Sequence, residues 1–285
     1  MSMGASTGAS TTGEEGEEHH KMRRVGIVAL ALAALIVLGG AASASANPHW
    51  YECAKIEGGK LEKGCATEAA PGGKGGYELK EGLGKNKPFK GKGGKAILHV
   101  VIPEKGDIKV ECESFKDSGQ LAMPDKEFNV IAEFKKCKSL GFPCKSEGGK
   151  KETITTEKLA GNLGWINKEA KIAGASLFDE ANPGPGFLAA FECEGEAKVR
   201  VHGGVIGQVE PVGVVSKTAT VTYSVGEYLG NGSLTNPPAF EEEEVGVLLT
   251  ELNGKETGNT WAPAGGIPSG QETSAVNKGE KLLIK

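Results

Sequence analysis

Six cysteines and four glutamates are the residues of this sequence whose types and spacing could do chemistry. Cys53, Cys65, Cys112, Cys137, Cys144 and Cys193 form an even set, and no two stand in a C-x-x-C spacing. That excludes a zinc ribbon and a thioredoxin-type redox motif and leaves three structural disulfides in an oxidising compartment, although six cysteines allow 15 pairings. Closing the shortest loops predicts Cys53–Cys65 and Cys137–Cys144, which leaves Cys112–Cys193. Val110-Glu111-Cys112-Glu113 and Phe191-Glu192-Cys193-Glu194 support the last pair, being near copies of one apolar-Glu-Cys-Glu strand. In each, the cysteine falls on the face opposite its flanking glutamates. A free cysteine nucleophile is the rival reading, but no histidine is suitably placed to activate one.

Glu111, Glu113, Glu192 and Glu194 form two same-face carboxylate pairs. If the two strands adjoin, the four would cluster as the acid and nucleophile of a retaining glycosidase or as a calcium-binding patch. A cleft holding them with Trp50 or Trp165 alongside would mark a hydrolase. The simpler expectation is a solvated face behind each cysteine, because like charges on neighbouring strands are unfavourable. His49, His99 and His202 lack ligand spacing such as H-E-x-x-H, so a hydrogen-bonded or surface role is expected of them. No G-x-S-x-G elbow, no S-x-x-K with a following K-T-G and no phosphate-binding glycine loop occurs. Glu241 to Glu244 lacks the alternating Asp/Asn and glycine of a calcium loop. No metal and no cofactor is expected.

The elements that must position these residues are short strands. Ile97 to Ile102 is a continuous apolar run. Phe128, Val130, Ala132 and Phe134 alternate strictly, Lys198 to His202 alternates, and Thr218 to Ser224 is rich in β-branched residues. Leu159 and Leu163 permit one helical turn, but Gly161 and Gly164 argue against a long helix. Strands every 8 to 12 residues separated by glycine-rich turns indicate an all-β fold, a disulfide-stapled antiparallel sandwich or barrel.

Met22 to Ala46 sets the compartment. Arg23-Arg24, an apolar run of 14 residues from Val25 to Leu38, and Ala44-Ser45-Ala46 follow the order of a secretory signal, with cleavage expected after Ala46. Fourteen residues fall short of the roughly 20 a helix needs to span a bilayer core, so membrane attachment is expected only through an uncleaved signal segment. The twin arginine lacks the surrounding pattern of a Tat signal, which favours the Sec route. Residues 1–21 are an acidic, low-complexity leader, and Met22 is the expected translation start.

Cleavage leaves 239 residues with a net charge of −3 and one arginine, Arg200. Without the arginine fork that reads phosphates and base edges, no specific nucleic-acid binding is expected. The chain divides into a small Cys-bridged module (47–81), a Gly/Lys-rich linker (82–95), a β-rich core (96–225) and a loosely structured extension (226–285). Within the extension, Lys281 to Lys285 is expected to pair with Val245 to Leu252. Lys85, Lys87, Lys90, Lys92 and Lys95 make the linker a solvated tether that could hold an anionic envelope polymer by non-specific charge attraction.

The order of features resembles a group of uncharacterised exported proteins of high-GC soil actinobacteria over roughly residues 50–225. The resemblance is carried by Trp50-Tyr51-Glu52-Cys53, Cys112, Phe134 with Cys137 and Cys144, the stretch Thr155 to Trp165, Phe191-x-Cys193 and Gly204-Val205-Ile206-Gly207. It implies an exported β-rich protein and no particular activity. The expected function is a non-enzymatic structural or binding module of the cell envelope or extracellular space. The alternative is a secreted hydrolase of envelope polysaccharide using the four glutamates.

Overall fold

The computed structural model describes residues 47–285 apart from 74, 103–105, 123, 184–185, 195–197, 225–226, 229–233, 236–237, 242–245 and 254–261. The expectations for residues 1–46 lie outside the described residues, as does Glu242 to Glu244. Among the described residues there is no helix, and every pairing between two of the strands is antiparallel. The strands in chain order are β1 (Trp50–Lys55), β2 (Tyr77–Glu81), β3 (Lys87–Gly93), β4 (Ala96–Ile102), β5 (Gly106–Cys112), β6 (Ser114–Ala122) and β7 (Lys126–Lys135). Next come β8 (Lys138–Ser139), β9 (Phe142–Ser146), β10 (Thr153–Thr155), β11 (Leu159–Asn167), β12 (Ile172–Asp179) and β13 (Phe187–Cys193). The chain finishes with β14 (Lys198–Glu210), β15 (Ser216–Tyr223), β16 (Glu227–Tyr228), β17 (Leu234–Thr235), β18 (Leu248–Asn253) and β19 (Ala262–Ile284).

The pairings form two closed circuits. In the first, β3 pairs with β6, β6 with β7, β7 with β11, β11 with β12, β12 with β14, β14 with β15, β15 with β19, and β19 returns to β3. In the second, β4 pairs with β5, then β8, β9, β13, β14, β18 and β19 follow, and β19 returns to β4. The circuits share the two longest strands, β14 with 13 residues and β19 with 23. Closure removes the exposed edges on which sheets aggregate, and an eight-membered ring has an interior that side chains fill or that holds one small ligand.

Residue size decides where these strands meet. Phe89 and Phe115 project into the first circuit, and the positions facing them are glycines. A methyl group on Gly119 would stand 2.7 Å from Phe89 Cζ and 2.8 Å from Val130 Cγ2, and one on Gly93 would overlap the Phe115 ring. Stretch 82–95 is therefore no linker. In β3, Phe89 is buried and Gly91 and Gly93 turn inward, while Lys90 and Lys92 turn out to water. Its glycines signal small inward positions in a strand, a role that composition cannot distinguish from flexibility.

The C-terminal stretch is likewise not an extension of the core. β19 closes both circuits and then pairs with β1, Trp50 opposite Ile284 and Glu52 opposite Leu282. The expected pairing of Lys281 to Lys285 with Val245 to Leu252 is replaced. β18 pairs instead with the beginning of β19, Leu248 opposite Ser269 and Leu252 opposite Ala262. Thr250 and Ser269, both fully buried, share a hydrogen bond of 2.7 Å between their hydroxyls at that seam.

Two of the three expected disulfides are also corrected. Cys53 bonds Cys65, but Cys112 bonds Cys137 and Cys144 bonds Cys193. β5, β8, β9 and β13 lie side by side, and their registers set Cys112, Cys137, Cys144 and Cys193 in one row across the second circuit. Cys112 and Cys193 are thus three interstrand spacings apart, roughly 14 Å along the sheet, twice the reach of a disulfide. Joining each outer cysteine to its inner neighbour uses all four thiols, with Cα atoms 4.0 and 3.9 Å apart.

Candidate functional site

The four glutamates of the expected catalytic set do not converge. Inward-facing Cys112 and Cys193 turn them to the outer surface, where lysines neutralise three of them. Glu111 lies 3.0 Å from Lys95, Glu113 lies 2.5 Å from Lys136 and Glu192 lies 3.4 Å from Lys145. Glu194 is exposed. Trp50 and Trp165 are buried in the core and frame no cleft around these groups. A hydrolase built on them has no site.

The histidines are equally dispersed. His49 Nδ1 contacts Glu81, His99 is buried on β4, and His202 Nε2 stands 3.7 Å from Glu251 with its ring edge-on to Phe187. Among the described residues no three His, Cys, Asp or Glu side chains come close enough to hold a metal ion.

The chemistry lies in the interior between the strands, on residues that sequence reasoning passed over. Among the described residues, two cavities have acidic side chains in their lining. The larger, about 100 Å³, is walled by apolar side chains such as Phe115, Val130, Leu177 and Phe191, with Asp117 and Tyr223 among them. The smaller, about 70 Å³, is lined by Trp50, Phe89, Leu121, Glu127 and Val221 and reaches exposed Val214 and Lys217 at the end of the first circuit.

Each polar group is carried inward by an identifiable local feature. On β6 the alternation that buries Phe115 also turns Asp117 in, leaving Lys116 and Ser118 outside. On β7 a bulge reverses the expected alternation. Asn129 adopts φ 51°, and the register with β6 slips between Ser118 and Gln120, so one extra residue is accommodated. The Asn129 amide donates to Glu180 Oε2 at 3.1 Å, which fixes the kink. Val130, Ala132 and Phe134 line the larger cavity as expected, but beyond the bulge it is Glu127, not Phe128, that lines the smaller one. Gly161 opposite leaves room: a Cβ there would stand 3.2 Å from Glu127 Cγ. Tyr223 enters over Gly207, whose Cβ would lie 2.8 Å from its Cε1.

Asp117 acts on Glu127, and both act on Tyr223. Burial, opposed by a backbone hydrogen bond, raises the Asp117 carboxyl from 3.8 to about 6. Burial and then the charge of Asp117 raise Glu127 from 4.5 to about 8. Glu127 keeps intermediate accessibility because it borders the cavity. Burial, Glu127 and Asp117, in that order, push the Tyr223 phenol well above its usual range. Desolvation dominates in each case, as expected for acids held in an apolar enclosure.

On the outer wall, Lys90 of β3 stands directly opposite Lys278 of β19, and Lys92 opposite Lys116 of β6. All four are exposed, whereas Lys87 and Lys95 are engaged with Glu52 and Glu111. Comparison of the chain with protein-family models, with curated proteins and with solved structures returns no match.

Proposed function

We propose that this protein is an exported, non-enzymatic binding module of the cell envelope or extracellular space, and that the cavity in its interior is its binding site. The observation that carries this reading is the void of about 100 Å³ enclosed by apolar walls with a few convergent polar groups, the usual make-up of a small-molecule site. Three disulfides and no free cysteine support an oxidising compartment. An apolar cavity of about 150 Å³ binds benzene or xenon, so in a cavity of about 100 Å³ the smaller guest, xenon, is a suitable probe. At ten times its Kd it should stabilise the fold by about 1.4 kcal/mol, a rise in Tm of about 3 °C. Ala132→Leu, which fills the larger cavity, should abolish the rise. Wild-type protein that is unaffected by xenon would refute the reading. Export predicts that the secreted protein begins at Asn47.

A second reading rests on the outer wall. Like charges set directly opposite one another on neighbouring strands are destabilising, yet Lys90–Lys278 and Lys92–Lys116 form two such pairs. An anionic envelope polymer laid across β3 would relieve both. Lys90→Glu with Lys92→Glu should then abolish retention on a polyanion column. Retention equal to the wild type would remove the polymer from consideration.

A further inference from the structure

We infer that the outer wall formed by β19, β3 and β6 holds a linear phosphodiester polymer of a short polyol, with one phosphate seated on the Lys90–Lys278 pair and the next on the Lys92–Lys116 pair. The inference rests on the reading of this wall as a polyanion surface and names the anionic group, its spacing and the chain that carries it.

The sheet register sets four cations in a fixed pattern. Lys278 lies opposite Lys90, and farther along β3 Lys92 lies between Val276 of β19 and Lys116 of β6. Adjacent strands are roughly 5 Å apart and alternate residues of one strand roughly 7 Å, so the centres of the two pairs lie roughly 8 Å from each other across the wall. All four lysines are exposed. Among the described residues none of them has a carboxylate within ion-pair distance. The acid next across the sheet, Glu133 opposite Lys116, is bonded to Lys135 at 2.9 Å. Glu280 is exposed beyond Lys278 on β19. Hydroxyl residues flank the first pair, Thr218 opposite Lys278 and Ser118 opposite Lys90, and both are exposed.

These residue types select phosphate. An ammonium is a point charge that lacks the planar fork by which arginine matches a carboxylate. Arg200, the one arginine of residues 47–285, belongs to β14, outside this wall. Two ammonium groups reaching from neighbouring strands suit a tetrahedral group whose oxygens point both ways, and serine and threonine hydroxyls are ordinary phosphate donors. The second pair selects a chain. One bound phosphate leaves the other pair repelling, whereas a chain charged at about the spacing of the pairs relieves both and gains from making the second contact within one molecule. Single-stranded nucleic acid stacks its bases on aromatic side chains, and the outward positions of these rows carry none. A lipid surface draws on buried apolar area, and Val276 is the one exposed large apolar side chain among the described residues of the three strands.

The test is calorimetry at low ionic strength on the full disulfide-bonded protein, with a glycerol-phosphate tetramer, dimethyl phosphate and a galacturonate tetramer of equal charge. The phosphate tetramer should bind at least tenfold more tightly than dimethyl phosphate and at least fivefold more tightly than the galacturonate. Single exposed Lys→Ala changes leave the fold intact. Lys90→Ala combined with Lys278→Ala should weaken binding less than the product of the two single effects, because either change alone already frees its neighbour from repulsion. Lys90→Ala combined with Lys116→Ala, drawn from different pairs, should weaken it by the full product. Galacturonate binding equal to or tighter than the phosphate tetramer would overturn the phosphate assignment while leaving the polyanion reading. Failure of both tetramers would overturn the two together. Full multiplication within a pair would overturn the seating of one phosphate on each pair. Tighter binding to hexathymidylate or to phosphatidylglycerol vesicles than to the phosphate tetramer would overturn the polyol chain in favour of nucleic acid or lipid.

Discussion

Gly119 of β6 lies beneath the Phe89 ring of β3, so close that a methyl group on it would stand 2.7 Å from Cζ. The contact fixes which strands can be neighbours where the first circuit closes. Gly119→Ala should destabilise the protein by about 1–3 kcal/mol through overpacking. Adding Phe89→Leu should recover part of that loss, so the double variant is less destabilised than the sum of the singles. Thermal or urea denaturation of the four proteins measures the coupling. Strictly additive effects would mean that the two residues do not meet.

A non-reducing peptide map should show Cys53–Cys65, Cys112–Cys137 and Cys144–Cys193. The last spans 49 residues and the first 12. Loop-closure entropy gives about 4 kcal/mol for the longer and about 3 kcal/mol for the shorter. Replacing both cysteines of Cys144–Cys193 by alanine should thus cost more than the same change at Cys53–Cys65. The reverse order in denaturant midpoints would contradict it.

Stability should fall as pH rises. Asp117 and Glu127 titrate at about 6 and about 8 in the fold, above their ordinary 3.8 and 4.5. The fold thus holds their protons more tightly than the unfolded chain. Their contribution is fully present below pH 4, declines between pH 4 and 8, and is lost above Glu127's folded value. The charge of Asp117 raises Glu127 and both raise Tyr223, whose phenol stays neutral throughout that range. Glu127→Gln should flatten the upper part of the Tm profile and Asp117→Asn the lower part. A profile that both variants leave unchanged would show that these groups do not sense burial.

The Thr250–Ser269 hydrogen bond makes a sharper prediction than either residue alone. Ser269→Ala strands a buried hydroxyl and should cost about 1–3 kcal/mol. Ser269→Ala combined with Thr250→Val removes both partners and should cost less than the two single changes added together. Full additivity in chemical denaturation would show that the hydroxyls act independently.

The sequence by itself determined the class of the fold and the chemistry of its cross-links. Alternating apolar residues at strand spacing, glycine-rich turns and an even set of cysteines suffice for an all-β, three-disulfide protein, because these signals are local. Which strands adjoin is not local. Cys112, Cys137, Cys144 and Cys193 could not be paired correctly until β5, β8, β9 and β13 were seen in sequence across one wall. Lys87–Gly93 reads as a tether until Phe115 is placed against Gly93, and Ala262–Ile284 reads as loose until both circuits are seen to close on it. The candidate site shows the same divide. Asp117 was not read, because Ser114–Ala122 carries too few apolar residues to mark the face it shares with Phe115. Nor was Glu127, because one positive-φ residue, Asn129, inverts the alternation of β7 and exchanges an expected phenylalanine for a carboxyl. Strand periodicity is fixed by neighbours in the chain. A bulge is fixed by the partner strand, and only the tertiary structure supplies the partner.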